Sequence, residues 1–340
     1  MSEKRFHHVT PEGDLRPVAD LAEGKAALRS GGYLWLDFAD PERADLEPLV
    51  RELGIHPLSI EDCLDKLQIP KLDLYAGSSF LVFNSYALSG GRLRVGEIDL
   101  ILGKEFLVTV SGRSGEDQRF HEHVAGMVRA DRENVRQGPD RLLYVVLNHI
   151  VDDKSAAVEA LQRDIDAAEE AILRDTAGFQ LSRLVRQRRG ILGLRKSLFY
   201  EREVLVKLCR RDSPFVGEAA VYHLRDVYDH LTKYFEEAEI QREMLLGLTE
   251  MHLSLVNNQM SQIANRTNNS VRRLTYISVI FLPLMFLSGV GGMSEYSMMT
   301  GAHSWRLAYP AFLGAMAAIG AAMYLVVRWF DRRGLATGEG

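Results

Sequence analysis

LTYISVIFLPLMFLSGVGGMS, residues Leu274 to Ser294, and LAYPAFLGAMAAIGAAMYLVV, residues Leu307 to Val327, are two runs of 21 residues without a charged side chain. At about 1.5 Å per helical residue each reaches roughly 30 Å, the thickness of a bilayer's hydrocarbon core. A pair of buried core helices is the alternative. Adjacent core helices rarely run so long without a charge, and a core hairpin has no need of basic residues at both outer ends. Arg266, Arg272 and Arg273 precede the first run and Arg328, Arg332 and Arg333 follow the second, whereas residues 295–306 hold one basic side chain, Arg306. This bias predicts two membrane crossings with both termini in the cytoplasm and the 295–306 loop outside. Trp305, Tyr309, Tyr324 and Trp329 sit near the ends of the second run, where amphipathic rings favour the headgroup level.

The remainder of the 340-residue chain reads as water-facing and folded, since 46% of all residues are hydrophobic and 26% charged, which excludes a disordered or fibrous chain. Forty-one Lys and Arg against 46 Asp and Glu leave a net charge of −5, so nothing overall attracts nucleic acid. Cys63 and Cys209 lie far apart with no CxxC or Cys/His spacing, which argues for reduced, cytosol-facing thiols rather than a disulfide scaffold or a structural zinc site. Met1 to Thr10 is polar with no apolar segment behind it, so no secretory signal is expected.

Tyr33–Phe38, Phe80–Tyr86, Glu97–Leu102 and Phe106–Val110 are short β-branched or aromatic runs bounded by turn-forming residues, and they predict strands. Pro41–Leu53 and His56–Leu67 have helical spacing, with Pro41 and Pro57 suited to a first turn. These elements make an α/β domain over residues 1–136. Gln137–Asp140 is turn-like and opens a second regime, 137–273, in which long helices are expected at about 141–175, 179–211 and 218–292. The last of them rests on Leu224, Val227, Leu231, Tyr234, Leu245, Leu248, His252, Leu255, Gln259 and Ile263, spaced mostly by three or four. No proline falls between Pro214 and Pro283, so one stalk helix of about 100 Å is predicted to continue into the first span, residues 274–294. The loop 295–306, the second span 307–327 and a tail 328–340 complete the chain.

The lower end of that helix carries the most informative pattern. Asn268, Val271, Thr275, Ser278, Leu282, Met285, Gly289 and Gly292 recur at alternating steps of three and four, a 3.5-residue period that keeps one seam turned toward a common axis. The seam begins polar, turns apolar at Leu282 and Met285, and ends small. Amide and hydroxyl groups in hydrocarbon are costly unless they face a partner or water. A water-filled pore lined by several copies meets that need. So does a plain packing seam whose Ser and Thr bond back to the preceding turn, and spacing alone leaves both open. In the second span Ala311, Gly314, Ala315, Ala317, Ala318, Gly320, Ala321 and Ala322 permit close helix approach, which fits an outer packing helix.

The order of these features resembles the CorA/ZntB family of divalent metal-ion transporters. The tail LTYISVIFLPLMFLSGVGGM, the short loop, WRLAYP and the second span are similar to that family's membrane part, and YLWLDF, LGIHPLSIEDCLD, PKLDLY and FLVTV to its cytoplasmic domain. The resemblance covers essentially the whole chain. It implies an α+β membrane protein: an N-terminal α/β/α cytoplasmic domain and a long stalk helix continuing into the first of two C-terminal transmembrane helices. It also implies a funnel-shaped homo-oligomer, a pentamer, in the cytoplasmic (inner) membrane. Family pore positions, carried over by alignment around Pro283, fall on Asn268, Val271, Leu274, Ser278, Leu282 and Met285, with Leu274 and Thr275 adjacent candidates for one ring. The family's outer mouth usually reads Gly-Met-Asn. Here it reads Gly292, Met293, Ser294, preceded by Gly291 where an aromatic is common. Serine offers one shorter oxygen in place of the amide, which implies a wider or less selective entrance.

Mg²⁺ gives up its water reluctantly, so a pore for it should offer oxygen dipoles to a hydrated ion. Asn268, Thr275 and Ser278 have that chemistry, Leu282 and Met285 would form a constriction that stops ions by dewetting, and a ring of Glu295 would concentrate cations at the mouth. Met293, Met298, Met299 and His303 bring softer ligands that suit Zn²⁺, Ni²⁺ or Co²⁺, although interfacial packing also accounts for the methionines. Asp152, Asp153, Asp164, Asp166, Glu169 and Glu170 are candidates for regulatory ions between subunits, against the alternative of a solvated helix face. No metal ligand set is assigned and no cofactor is expected beyond the divalent cation itself. His121-Glu122-His123 is not HExxH, and no Gly-rich phosphate loop is present, so neither a zinc hydrolase nor an ATP-driven pump is indicated. Two functions stand: a passive divalent-cation channel, or a non-conducting membrane-anchored metal sensor or scaffold of the same architecture.

Overall fold

The computed structural model describes residues 3–65, 68–89, 92–112, 117–292 and 305–336. The chain divides into two compact units, residues 1–252 and 253–340.

In the first unit, seven strands, β1 (Glu3–Val9), β2 (Leu15–Val18), β3 (Tyr33–Ala39), β4 (Leu72–Leu74), β5 (Ser79–Ser89), β6 (Arg92–Leu102) and β7 (Phe106–Ser111), form one sheet in the order β2-β1-β3-β7-β6-β5-β4. Only β3 and β7 pair in parallel, with Leu36 opposite Val108; the other neighbours are antiparallel. These two central strands are apolar on nearly every residue because both faces of the sheet are covered. On one face Leu34, Leu36, Phe38, Phe80, Val82 and Val108 pack against Leu46 and Leu49 of α2 (Arg43–Leu53) and Ile60 of α3 (Pro57–Asp62), with Leu21 of α1 (Leu21–Ala27) at the margin. Alternation along the strands sends Tyr33, Trp35 and Asp37 to the other face. There the Tyr33 hydroxyl donates to the Val135 carbonyl of α5 (Arg132–Val135) at 2.8 Å, and His121 of α4 (Asp117–Ala130) stacks on Trp35 with Nδ1 3.0 Å from Asp37.

The four expected strands are present. The expected helix at 41–53 starts at Arg43, and α3 ends at Asp62; Leu67 lies outside the described residues. Unforeseen were β1, β2 and β4. Strand β1 is written Glu-Lys-Arg-Phe-His-His-Val, too charged to read as a strand, yet it pairs along all of β3 with Phe6 opposite Leu36. Its Arg5 and His7 side chains join the polar face: Arg5 contacts Asp37, and His7 packs against both Trp35 and His121. Burial, with the neighbouring His121 second, pushes the His7 imidazole down to about 4.

The long helices stand close to their expected bounds as α6 (Pro139–Arg174), α7 (Ser182–Cys209) and α8 (Glu218–Gly291). Leu224, Val227, Leu231, Tyr234, Leu245, Leu248 and His252 are buried, continuing one apolar face at helical period, whereas Gln259 and Ile263 are exposed. Polar bonds hold the helices in register: Gln187 Nε2 donates to the Asp164 carbonyl at 2.7 Å and Gln241 Nε2 to that of Val158 at 2.9 Å. A buried ion pair fixes α6 and α7 to the sheet. Lys154 Nζ lies 3.3 Å from Glu201 Oε1 and donates to the Asn84 carbonyl at 2.6 Å, while the Asn84 amide donates to the same carboxylate at 2.9 Å. Burial pushes the lysine down and the glutamate up, and each restrains the other's shift.

The second unit holds the end of α8 and one further helix, α9 (Trp305–Ala336). Both are long and apolar enough to cross a membrane, α9 over Arg306–Phe330.

Candidate functional site

Within the second unit α8 has two unlike faces. Tyr276, Ile280, Pro283, Leu284, Leu287 and Gly291 are half-buried. They meet α9 closely at two points. A Cβ on Gly291 would stand 2.7 Å from the Phe312 ring, and one on Gly320 would stand 3.5 Å from Leu284 Cδ1. Gly291 is therefore a site of close approach, whereas a side chain at Gly320 would make ordinary van der Waals contact. Along α9, Phe312, Met316, Ile319, Gly320 and Met323 are half-buried, while Ala311, Gly314, Ala315, Ala317, Ala318, Ala321 and Ala322 are exposed.

At about 100° per residue, the seam Ser278, Leu282, Met285 and Gly289 is centred roughly 160–180° from Ile280, Leu284, Leu287 and Gly291. It points away from α9. Every seam position from Asn268 to Gly289 is exposed in the single chain, Leu282 by 71% and Met285 by 72%. Val271 and Leu274 are exposed with it. The Thr275 hydroxyl donates to the Val271 carbonyl at 2.9 Å, the back-bonding of a packed seam, and this leaves its oxygen able to accept from water. Leu282 and Leu284, two residues apart, thus have opposite surroundings.

At the outer end, Gly291 closes the α8 helix against Phe312 and Gly292 follows it, its amide donating to the Ser288 carbonyl at 3.0 Å. Met293, Ser294, Glu295, Met298, Met299 and His303 lie outside the described residues.

The acidic positions of α6 do not converge. Asp164, Asp166, Glu169 and Glu170 are exposed on the side away from buried Leu161, Ile165, Ala168 and Ile172. Asp152 and Asp153 stand nearer to histidines, with His149 Nε2 4.0 Å from Asp153; burial pushes the Asp152 carboxyl up and the His149 imidazole down. Among the described residues no three His, Cys, Asp or Glu side chains are grouped to hold an ion. His121 and His123 face different neighbours, Asp37 and His149.

Sequence reasoning missed the packing face of α8. Its signal was available in the i, i+4, i+8 series Tyr276, Ile280, Leu284, which crosses the same apolar run as the seam.

An α/β layer in one unit, and in the other two helices long and apolar enough to cross a membrane with a polar seam exposed on the first, are the features of a membrane protein with a domain outside the bilayer. The chain belongs to the CorA-like Mg²⁺ transporter protein family, whose model matches residues 30–332. It is 30% identical over 294 residues to the cobalt/magnesium transport protein CorA of Thermotoga maritima, covering 85% of this chain and 80% of that one. It is also 30% identical over 309 residues to YfjQ of Bacillus subtilis, covering 89% of both chains. In fold it matches the complete CorA magnesium transporter of Methanocaldococcus jannaschii with a TM-score of 0.71 over 97% of each chain, at 18% identity.

Proposed function

We propose that the protein is a passive channel for divalent metal cations, formed by several copies, a homopentamer, around an axis faced by the α8 seam. The observation that carries this reading is the opposition of faces on α8: one side meets α9, and the polar side is exposed, with no other element packed on it among the described residues. A polar strip inside an apolar span is stable when copies enclose it around water. In this arrangement Asn268, Thr275 and Ser278 offer oxygen dipoles to a hydrated ion, and Leu282 and Met285 form the apolar belt that stops conduction when dry. Gly292, Met293, Ser294 and Glu295 form the entrance. The relatives named for cobalt and magnesium transport set the substrate class, Mg²⁺ and Co²⁺, to which Ni²⁺ and Zn²⁺ are added because Ser294 replaces the family's asparagine. The protein lies in the cytoplasmic membrane with both termini inside. The membrane potential then drives entry with about 4.6 kcal/mol per divalent ion per 100 mV. Regulatory ions would be held between copies by acidic positions of α6 such as Asp152 and Asp153.

The same serine favours the rival, a non-conducting metal sensor or scaffold. Stopped-flow uptake of Mg²⁺, Co²⁺, Ni²⁺ and Zn²⁺ into liposomes holding the purified protein separates the two. Potential-dependent uptake of at least one ion above empty vesicles is expected. Flux of none of the four removes the channel reading.

A further inference from the structure

The turn between α6 and α7 concentrates positive charge in a chain that is negative overall. Residues 174–196 hold seven Arg or Lys side chains against a single acid, Asp175, a net charge of +6 within a chain of −5. Three of these guanidinium groups, Arg174, Arg183 and Arg186, line one open cleft of about 400 Å³ together with Asp175, Gly178 and Phe179. Among the described residues none of the three makes an ion pair or a side-chain hydrogen bond. Arg195, further along α7, is paired with Glu239 and stacked on Phe235.

Two of the three stand where their own helix disfavours them. The first turn of α7 starts at Ser182 with no acidic residue and no side-chain cap at Leu181; the Arg183 and Val185 amides donate to the Gln180 and Leu181 carbonyls, but no negative side chain in that turn offsets the positive end of the helix dipole. Arg183 and Arg186 add cations to that end. The one acid in the cleft is committed to the turn: Asp175 Oδ1 accepts from the Gly178 amide at 3.0 Å, and its carboxylate fills the space a side chain at Gly178 would need. Phe179 forms a fixed wall, braced edge-on against His252 at 5.3 Å. A cleft of this size lies in the range of small-ligand sites, and an anion entering it would relieve the repulsion among the arginines and between them and the helix end.

We infer that this cleft binds a phosphorylated anion carrying two or more negative charges. The forked guanidinium groups match phosphoryl oxygens two at a time, and the positive end of the α7 dipole adds to their attraction for an anion. The phosphoryl group belongs either to a soluble polyphosphate, such as a nucleotide, or to a lipid headgroup. The site does not depend on the transport reading, and its test involves no flux.

The test is calorimetric titration of the full-length protein in neutral detergent with tripolyphosphate, in about 150 mM NaCl without divalent cations. One tripolyphosphate per chain is expected, and Arg183→Gln with Arg186→Gln should weaken binding at least about tenfold. Arg188→Gln with Arg189→Gln, an equal charge change outside the cleft, should weaken it by less than about threefold. Thermal unfolding checks that both variants fold. Equal weakening by the two pairs, or no binding below about 1 mM, overturns the inference. Repeating the titration in phosphatidylcholine nanodiscs with and without phosphatidic acid identifies the source. Equal affinity in both supports a soluble polyphosphate. Competition by phosphatidic acid that the Arg183→Gln, Arg186→Gln variant abolishes supports a headgroup.

Discussion

Leu282→Ala should open a leak, and Leu284→Ala should not. The two leucines differ only in which way they face: Leu284 lies against Gly320 of α9, whereas Leu282 is 71% exposed in the single chain. Fully burying a leucine is worth about 1.5–3 kcal/mol. Scaled by the exposed fraction, closure of Leu282 against neighbouring copies contributes about 1–2 kcal/mol per chain to the shut state. Because about 1.4 kcal/mol is a factor of ten, truncating it in every copy should raise the resting flux at least about tenfold. Leu284→Ala should instead lower the thermal stability of the protein in detergent and leave resting flux within about twofold. The assay is Mg²⁺-dye fluorescence in proteoliposomes with variants reconstituted at equal density. A leak in Leu284→Ala with none in Leu282→Ala would refute the assignment of faces.

Three further outcomes follow from the packing. Lys154→Met strands the Glu201 carboxylate, which is fully buried, and should cost about 3–5 kcal/mol in denaturant unfolding, much of it restored by adding Glu201→Gln. His7 is held neutral in the fold, at about 4 against an ordinary 6.5, so the stability it contributes is complete above pH 6.5 and is lost as pH falls toward 4, where the unfolded chain takes up the proton first. Unfolding midpoints across that window should fall less steeply in His7→Phe. Gly291→Val drives a side chain into the Phe312 ring and should destabilise the α8–α9 pair by about 1–3 kcal/mol, whereas Gly289→Ala, with open space around it, should change the midpoint little.

The long helices were legible to within a few residues because their apolar positions recur over many turns, and the central strands because both their faces are buried. Strand β1 was hidden because its side chains serve a polar face: Arg5 and His7 reach Asp37, Trp35 and His121, partners that lie 28 to 114 residues away in sequence. Helix α4, with its charged faces, gave no comparable signal. The seam of α8 was visible as a 3.5-residue period, but spacing could not say whether it faces a partner. That needed the position of α9, set by Phe312 against Gly291 and Leu284 against Gly320. The arginine cleft was equally unreadable, since Arg174 and Arg183 meet only when the turn at Gly178 brings the two helix ends together.

The most direct measurement is thiol accessibility along α8 in the reconstituted protein, with Cys63 and Cys209 replaced by serine. Single cysteines at Ser278 and at Leu287 are exposed to a membrane-impermeant methanethiosulfonate while metal flux is recorded. The account predicts modification and block at Ser278 and protection at Leu287. Protection at Ser278, or reaction there without any effect on flux, would mean that the polar seam borders no aqueous path.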